Sequence, residues 1–472
     1  MREHRRRSVP LICVFVIVLV AAAVAVCAGA AAPARAAFAS HGIWWETLGQ
    51  APNPDNWVDV AKGPNGALYA AGNNSVGGAT GDLLVAKYNR KDAATDHLVW
   101  QRIWDNPNEH LNDQAAALTV DPSGAVIVVG STSTAAHGRE WVVVKWSASG
   151  VALWQKTFAA SPLTAWNADA YDVACDAAGR IYVCGWSQTN THGGSVVSSL
   201  VVRRLAGSDG HSIWTGTYAG AADSFNQGSK LALDKAGNVY CTGYGQNTQG
   251  NSDIVTCRFQ AGNGHLSWVR LIADAKHRDD EGAGVVVRGA SVWVTGGEYT
   301  DASNRVVALA KYTLSGHRLW LRTWLEKAGT REYPRALAVD AHGNAVVAGS
   351  GNDNPVTREH AFIVRWNSAG RLRWQRVAYN SVTHKAVWRD VVCDSAGRIW
   401  VGGYELKGSV DSLLVARYST AGKRLWLSSY LGYEGLGAEG NALCLGKTGL
   451  FVGGSVATAT RGDDAVALKY AR

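Results

Sequence analysis

The spacing of tryptophan is the feature that most constrains this chain of 472 residues. Eight tryptophans recur at intervals of 52 to 60 residues: Trp44, Trp100, Trp154, Trp214, Trp268, Trp320, Trp374 and Trp426. The body from Ala37 onward has room for eight units of about 54 residues. A period of this size is typical of repeat folds, in which each unit packs on its neighbours.

Each unit contains four short apolar runs separated by turn residues. In the second unit these runs are QAAALTV (114–120), AVIVVG (125–130), WVVVKW (141–146) and VALWQKTF (151–158). Runs of this length that are rich in Val and Trp and bounded by Asp, Ser and Gly predict strands joined by hairpins. None has the length and 3.6-residue period of a sizeable helix.

Two residue columns repeat in every unit. A glycine closes the second strand, at Gly72, Gly130, Gly185, Gly243, Gly296, Gly349, Gly403 and Gly454. A base occupies the third strand, at Lys87, Lys145, Arg204, Arg258, Lys311, Arg365, Arg417 and Lys469. Packing between units is the same in every copy, so a residue type that recurs in all eight units is expected to serve packing. We therefore interpret these bases and the repeated tryptophans as structural.

Eight four-stranded units predict an all-β chain folded as a single β-propeller of eight blades. The last unit begins near Gly440 and has only three runs, whereas an unassigned run, GIWWETLG (42–49), precedes the first unit. The N-terminal strand is therefore predicted to complete the last blade, which leaves no open sheet edge.

The repeat resembles the bacterial SBBP β-propeller repeat. The matching segments are GNVYCTG (237–243), DLLVAKY (82–88) and SGHRLW (315–320). The resemblance implies an exported propeller without a defined common activity, and because that family is named for seven blades, seven is the alternative count. The tryptophan strand also resembles, more loosely, that of the PQQ-type quinoprotein propellers.

The first 36 residues differ from the repeats and predict export. Arg2 and Arg5 to Arg7 precede an uncharged stretch, and Ala34-Arg35-Ala36 offers a cleavage site. This layout indicates a secretory signal peptide, with an uncleaved membrane anchor as the alternative. Residues 37–472 then form the propeller, and we expect it to be secreted or held in the extracytoplasmic cell envelope.

The charge balance disfavours nucleic acid as a partner. The formal net charge of +8 falls to +4 without residues 1–36, which hold five Arg and one Glu. No basic run of the kind that nucleic-acid binding requires remains. The membrane is expected to be contacted only through an N-terminal anchor, and we expect a monomer.

Catalytic and cofactor motifs are missing from the sequence. It contains no G-x-S-x-G, H-E-x-x-H, Walker A or Cys-x-x-Cys motif, and no two cysteines are adjacent. We therefore predict no cofactor, no metal and no catalytic residue. Six cysteines follow residue 36, and Cys241 and Cys257 are the best candidates for a disulfide because their strands neighbour each other.

Candidate ligand-binding residues lie where the units differ. Trp57, Trp166 and Trp388 fall outside the repeated tryptophan column, in segments that link one unit to the next. Asp59, Asp172 and Asp390 occupy equivalent first-strand positions. Loops at one mouth of a propeller are the usual place for function, although turns alone also account for such polar content.

Two classes of function remain open. The leading hypothesis is a non-enzymatic binding or scaffold module whose partner is a glycan, a peptide or an envelope protein. The alternative is an extracytoplasmic enzyme, either a PQQ-like oxidoreductase or a glycan-cleaving enzyme, and the latter needs two facing carboxylates at one mouth.

Overall fold

The described part of the chain is built from β-strands and the turns that join them. The computed structural model describes residues 42–48, 55–64, 66–76, 80–89, 97–136, 138–160, 167–192, 195–220, 224–247, 251–273, 279–301, 303–353, 358–379, 385–459 and 462–471. Within these ranges no helix is present, and so none that is long and apolar enough to span a bilayer. The predicted all-β class is confirmed.

The strands form four-stranded units, numbered 1 to 8 in chain order from β2, and one parallel backbone pair, Arg305 with Arg331, joins units 5 and 6 into a single sheet. The first strands are β2 (Asp55–Lys62), β6 (Asp113–Val120), β10 (Ala168–Cys175), β14 (Asn226–Leu233), β18 (Glu281–Arg288), β22 (Thr330–Val339), β26 (Ala386–Cys393) and β30 (Ala438–Leu445). The second strands are β3 (Leu68–Val76), β7 (Val126–Thr134), β11 (Ile181–His192), β15 (Val239–Gln246), β19 (Ser291–Tyr299), β23 (Ala345–Asp353), β27 (Ile399–Lys407) and β31 (Gly449–Thr458).

The remaining two strands of each unit complete an antiparallel meander. The third strands are β4 (Thr80–Tyr88), β8 (Gly138–Trp146), β12 (Ser195–Leu205), β16 (Ser252–Phe259), β20 (Arg305–Thr313), β24 (Glu359–Trp366), β28 (Val410–Tyr418) and β32 (Gly462–Ala471). The fourth strands are β5 (Leu98–Trp104), β9 (Ala152–Phe158), β13 (Ser212–Tyr218), β17 (Leu266–Ile272), β21 (Arg318–Trp324), β25 (Leu372–Tyr379), β29 (Arg424–Tyr430) and, for unit 8, β1 (Gly42–Leu48).

The N-terminal strand pairs with the C-terminal strand. β1 runs antiparallel to β32, with Trp44 opposite Lys469 and Leu48 opposite Ala465. The sheet order β1-β32-β31-β30 therefore joins the two ends of the repeat region in one unit. This is the predicted strand exchange, and it leaves β32 paired on both sides.

The units pack side by side in a closed ring. Each first strand contacts the first strand of the next unit, and β30 of unit 8 contacts β2 of unit 1. One cluster of buried apolar side chains lies at each seam, meaning the contact between successive units. At the closing seam Trp57 and Val60 pack on Ala442 and Phe451. Because both faces of each sheet are covered, the apolar runs need no polar face.

A β-bulge interrupts every first strand at the same position and explains the glycine column. In unit 1 the register shifts between Trp57 and Asp59, and equivalent shifts occur in all eight first strands. The bulge presses the carbonyl group of Asn56 against Gly72, where a Cβ would lie 1.7 Å from that oxygen. A side chain is therefore excluded at this position.

The repeated bases and tryptophans join neighbouring units, as their structural interpretation predicts. Lys145 Nζ and Trp154 Nε1 of unit 2 both donate to the carbonyl oxygen of Gly207 in unit 3, at 2.8 and 3.2 Å. Lys145 also pairs with the buried Asp121 at 2.8 Å. These contacts satisfy the charged head while the aliphatic stem packs in the seam.

All six cysteines of the described region are unbridged. Cys241 and Cys257 are directly opposite each other on β15 and β16, as expected, but they do not form a disulfide. Directly opposed strand positions rarely meet the geometry of a disulfide. Both side chains are instead buried in the apolar cluster between units 3 and 4.

Candidate functional site

Two cavities open at one end of the ring, which we call the connection face. Here the fourth strand of each unit leads into the first strand of the next, and so the repeats differ most. Cavity A has a volume of about 730 Å³ and is lined by residues of units 1, 2, 7 and 8. Cavity B has a volume of about 710 Å³ and is lined by residues of units 4 and 5 together with Phe225, which precedes β14.

Cavity A is rich in carboxylates. Five acids line it, namely Asp55, Asp113, Asp411, Glu439 and Asp463, whereas Arg389 is the single base among its described lining residues. Asn56, Asn73, Asn112, Gln114 and Asn441 add side-chain amides. The cavity therefore offers mainly hydrogen-bond acceptors and a negative potential to a ligand.

Glu439 pairs with the only base among the described lining residues of cavity A. Arg389 Nη2 lies 2.7 Å from Glu439 Oε2. Burial raises the pKa of Glu439, Arg389 opposes that rise, and the neighbouring Asp411 and Asp463 add to it. A raised pKa lets the Glu439 carboxyl keep its proton at a higher pH than an exposed glutamate does.

Cavity B combines aromatic rings with acids. Phe225 stacks on Tyr244 with ring centroids 5.8 Å apart, and Trp186 lies 4.9 Å from Phe225. Asp279, Asp280 and Glu281 also line this cavity, together with Arg305. Burial, followed by the charge of Glu281, raises the pKa of Tyr244 to about 12, so its hydroxyl group remains a donor at neutral pH.

The predicted acids Asp59, Asp172 and Asp390 are brought together on the inner wall of the ring. Each accepts the backbone N–H of a leucine in the next unit: Leu118 at 2.9 Å, Leu231 at 2.8 Å and Leu443 at 2.7 Å. Asp59 and Asp390 also accept the N–H that follows them in their own strand. These carboxylates therefore satisfy backbone groups that the bulges leave unpaired.

A lysine at the same position of unit 4 completes this inner set. Burial raises the pKa of Asp59 to about 7 and that of Asp390 to about 6, while Lys230 and the backbone hydrogen bonds oppose both rises. The charge of Asp172, ahead of the opposing effect of burial, raises the pKa of Lys230. All four side chains retain some solvent access. Their surroundings consist mainly of protein, which solvates charges poorly.

The predicted tryptophans do not form a binding platform. Trp57 and Trp388 have exposed fractions of 0% and 3%, and both lie within first strands, packed in the seams. Their location in linking loops was wrong, because β2 begins at Asp55 and β26 at Ala386. Their rings fill the space above the bulge and offer no face to a ligand. Trp166 lies outside the described residues.

Arg389, Asp411, Glu439 and Asp463 were not singled out from the sequence. Arg389 and Asn441 occupy the bulged position of their strands, which carries Val58, Ala116, Tyr171, Ser229, Ala283 and Arg335 in the other units. The neighbouring positions of the first strands vary as widely, so no signal in the sequence sets Arg389 apart. The acids come from three different strands; Asp411 and Asp463 hold the same third-strand position of units 7 and 8, whereas Glu439 lies in the first strand of unit 8.

Comparison with known proteins supports the fold. No family model and no curated protein matches the chain. A quinohemoprotein alcohol dehydrogenase from Comamonas testosteroni is similar with a TM-score of 0.51 and 9% identity, covering 90% of this chain and 76% of that one. The polysaccharide lyase Uly1 is similar with a TM-score of 0.49 and 8% identity, covering 91% of this chain and 99% of that one.

A further similarity is to the β-propeller domain of the Trilobed protease from Pyrococcus furiosus. Its TM-score is 0.42 and its identity 10%, covering 75% of this chain and 93% of that one. At such identities a likeness concerns the fold and not the chemistry. The fold of this chain is a β-propeller, and its resemblance to the PQQ-type quinoproteins extends to architecture alone.

Proposed function

We propose that this protein is an exported, monomeric, non-enzymatic binding module whose connection face binds a basic peptide segment of an envelope protein. The eight units are the blades of one eight-bladed propeller, and residues 1–36 direct its export. The observation that carries the proposal is the excess of carboxylates in both cavities of one face, on a chain whose formal net charge is +8.

The two cavities have complementary means of holding a basic segment. Among the described residues, five acids and one base line cavity A, and that base, Arg389, pairs with Glu439. In cavity B the half-buried Phe225 and Tyr244 provide ring faces, which attract guanidinium and ammonium groups. Opposite charges on the two partners favour encounter and fix the register of the bound segment.

Binding of labelled peptides, followed by fluorescence anisotropy, tests the proposal. Arg- and Lys-rich peptides should bind with an affinity that falls as salt is added, while acidic peptides and neutral oligosaccharides should not bind. The double substitution Asp411→Asn with Glu439→Gln should weaken binding roughly tenfold, or about 1.4 kcal/mol.

The matched control is Asp209→Asn, because Asp209 is an exposed acid in the β12–β13 hairpin at the opposite end of the ring. This variant should bind the basic peptides like the wild type. Preferential binding of neutral oligosaccharides, or equal affinity of the double variant and the wild type, would reject a basic peptide as the ligand.

The Asp411–Glu439 pair favours one alternative, a glycan-cleaving enzyme. Such chemistry requires two carboxyl groups in one cavity, one protonated and one ionised, and the raised pKa of Glu439 suits the proton donor. Release of new reducing or unsaturated ends from polysaccharides, lost in Glu439→Gln but kept in Asp209→Asn, would establish this activity. Oxidation of alcohols after addition of PQQ and calcium would establish the PQQ-like alternative instead.

A further inference from the structure

Three carboxylates converge at the seam between units 1 and 2. Asp82 lies near the start of β4, Asp105 directly follows β5, and Asp113 begins β6 of the next unit. One oxygen atom from each residue lies within 4.8 Å of one from each of the others. Asp82 and Asp113 are buried, with exposed fractions of 8% and 0%, and Asp105 is partly buried.

This arrangement is unfavourable without a cation. Burial, reinforced by the charge of Asp105, raises the pKa of Asp82, and burial, with Asp105 and Asp82 contributing, raises the pKa of Asp113 to about 6. His110 contacts Asp105 Oδ2 at 2.5 Å but is itself largely exposed. Like charges held this close in a poorly solvated seam repel each other unless protons or a cation neutralise them.

A fourth side chain, that of Asn74, supports a cation as the partner of these carboxylates. Asn74 has an exposed fraction of 3%, and its Oδ1 has no hydrogen-bond donor. It is directly opposite Asp82 in the β3–β4 ladder, so the two side chains project from the same face of the sheet. The buried Oδ1 atoms of Asp105 and Asp113 also lack donors. Buried acceptors are normally satisfied, and three without donors in one place require an explanation.

We propose that Asp82, Asp105 and Asp113, with Asn74 Oδ1, form a Ca²⁺ site that ties unit 1 to unit 2. Ca²⁺ takes six to eight oxygen ligands from carboxylates, amide carbonyls and water in flexible geometry. Mg²⁺ demands a smaller, near-octahedral shell and gives up its water reluctantly, so it fits less well. The site goes beyond the proposed function and does not depend on it.

The seam between units 4 and 5 provides a natural contrast. Asp253 and Asp280 occupy the positions of Asp82 and Asp113 there, but Ala273 stands at the position of Asp105. The third carboxylate is therefore particular to the first seam. Because Asn112 and Asp113 also line cavity A, bound Ca²⁺ would fix one wall of that cavity.

Thermal unfolding of the chelator-treated protein with added CaCl₂ tests the site. The midpoint of the wild type should rise with Ca²⁺ up to about 1 mM, the range of extracellular calcium modules. MgCl₂ at the same concentration should have a much smaller effect. Luminescence of Tb³⁺, excited through the adjacent Trp104 and displaced by Ca²⁺, reports the same site directly.

Three variants and a control separate binding from general stability. Asp82→Asn, Asp105→Asn and Asp113→Asn should abolish the Ca²⁺-dependent rise while leaving the midpoint in chelator equal or higher, because repulsion is relieved. The partly exposed position of Asp105 makes its variant the safest to fold. The control, Asp253→Asn, should respond to Ca²⁺ like the wild type. An unchanged wild-type midpoint, or a Ca²⁺ response retained in all three variants, would overturn the proposal.

Discussion

At the scale of single residues, backbone crowding decides which positions repeat. Gly72 is required because the bulge of β2 brings the Asn56 carbonyl to where its Cβ would be, and the same contact recurs in each unit. The sequence shows the glycine column but not its cause, since nothing in the local pattern announces a bulge. The same omission misplaced Trp57 and Trp388, whose segments are rich in turn residues yet enter the first strands.

Replacing Gly72 with alanine should therefore be costly. The new Cβ would overlap a backbone oxygen at 1.7 Å, so the bulge must shift, and we expect a loss of at least about 2 kcal/mol of unfolding free energy. Chemical denaturation measures this loss. Gly262→Ala is the control, because no atom lies within 4 Å of its Cβ position and its backbone is not left-handed. Equal stability of the two variants would contradict the crowding argument.

At the scale of elements, the first strands of odd-numbered and even-numbered units differ, and they are linked in pairs. Valine follows the bulge in odd units, at Val60, Val173, Val285 and Val391, and leucine in even units, at Leu118, Leu231, Leu337 and Leu443. In units 1, 3 and 7 an aspartate accepts an N–H from the next unit. Unit 5 has Gly284, where a Cβ would lie only 3.0 Å from Leu337 Cβ. The chain thus repeats as pairs of units as well as single units.

The pH dependence of the unfolding free energy tests the burial of Asp59, the aspartate that links units 1 and 2. Because the pKa of Asp59 is raised from 3.8 to about 7, the folded state binds more protons than the unfolded state between these values. Unfolding free energy should therefore fall as pH rises from about 4 to about 7. In Asp59→Asn the fall should be smaller, although Asp390 and Asp113 maintain part of it. Denaturation of both proteins across this range checks it, and identical profiles would contradict a raised pKa at Asp59.

Part of the inner site was predictable at this scale, and the cavities were not. Asp59, Asp172 and Asp390 stand out because they share a column, and a ring brings equal columns to one wall. Asp411 and Asp463 occupy the same third-strand position of units 7 and 8, but Glu439 lies in a first strand, and the three acids meet only because these units pack together. The three acids of the proposed Ca²⁺ site likewise meet across a seam. Such convergence depends on the angle between units, which the repeat pattern does not specify.

At the scale of the whole molecule, the ring was predictable because every unit must bury the same two apolar faces. Each unit has two apolar faces and needs two neighbours, so a chain of such units must close or leave a bare sheet. Closure depends on β1, which pairs with β32 within unit 8. Without β1, β32 would become an edge strand, and the unit that packs on Trp57 of unit 1 would be incomplete.

Thermal unfolding of a chain truncated to residues 50–472, compared with one of residues 37–472, tests closure most directly. If β1 closes the ring, removing it should lower the unfolding midpoint clearly and weaken the seam between units 8 and 1. The reference chain keeps β1 and lacks only the predicted signal segment. An unchanged midpoint in the shorter chain would contradict the closed ring on which the placement of every site rests.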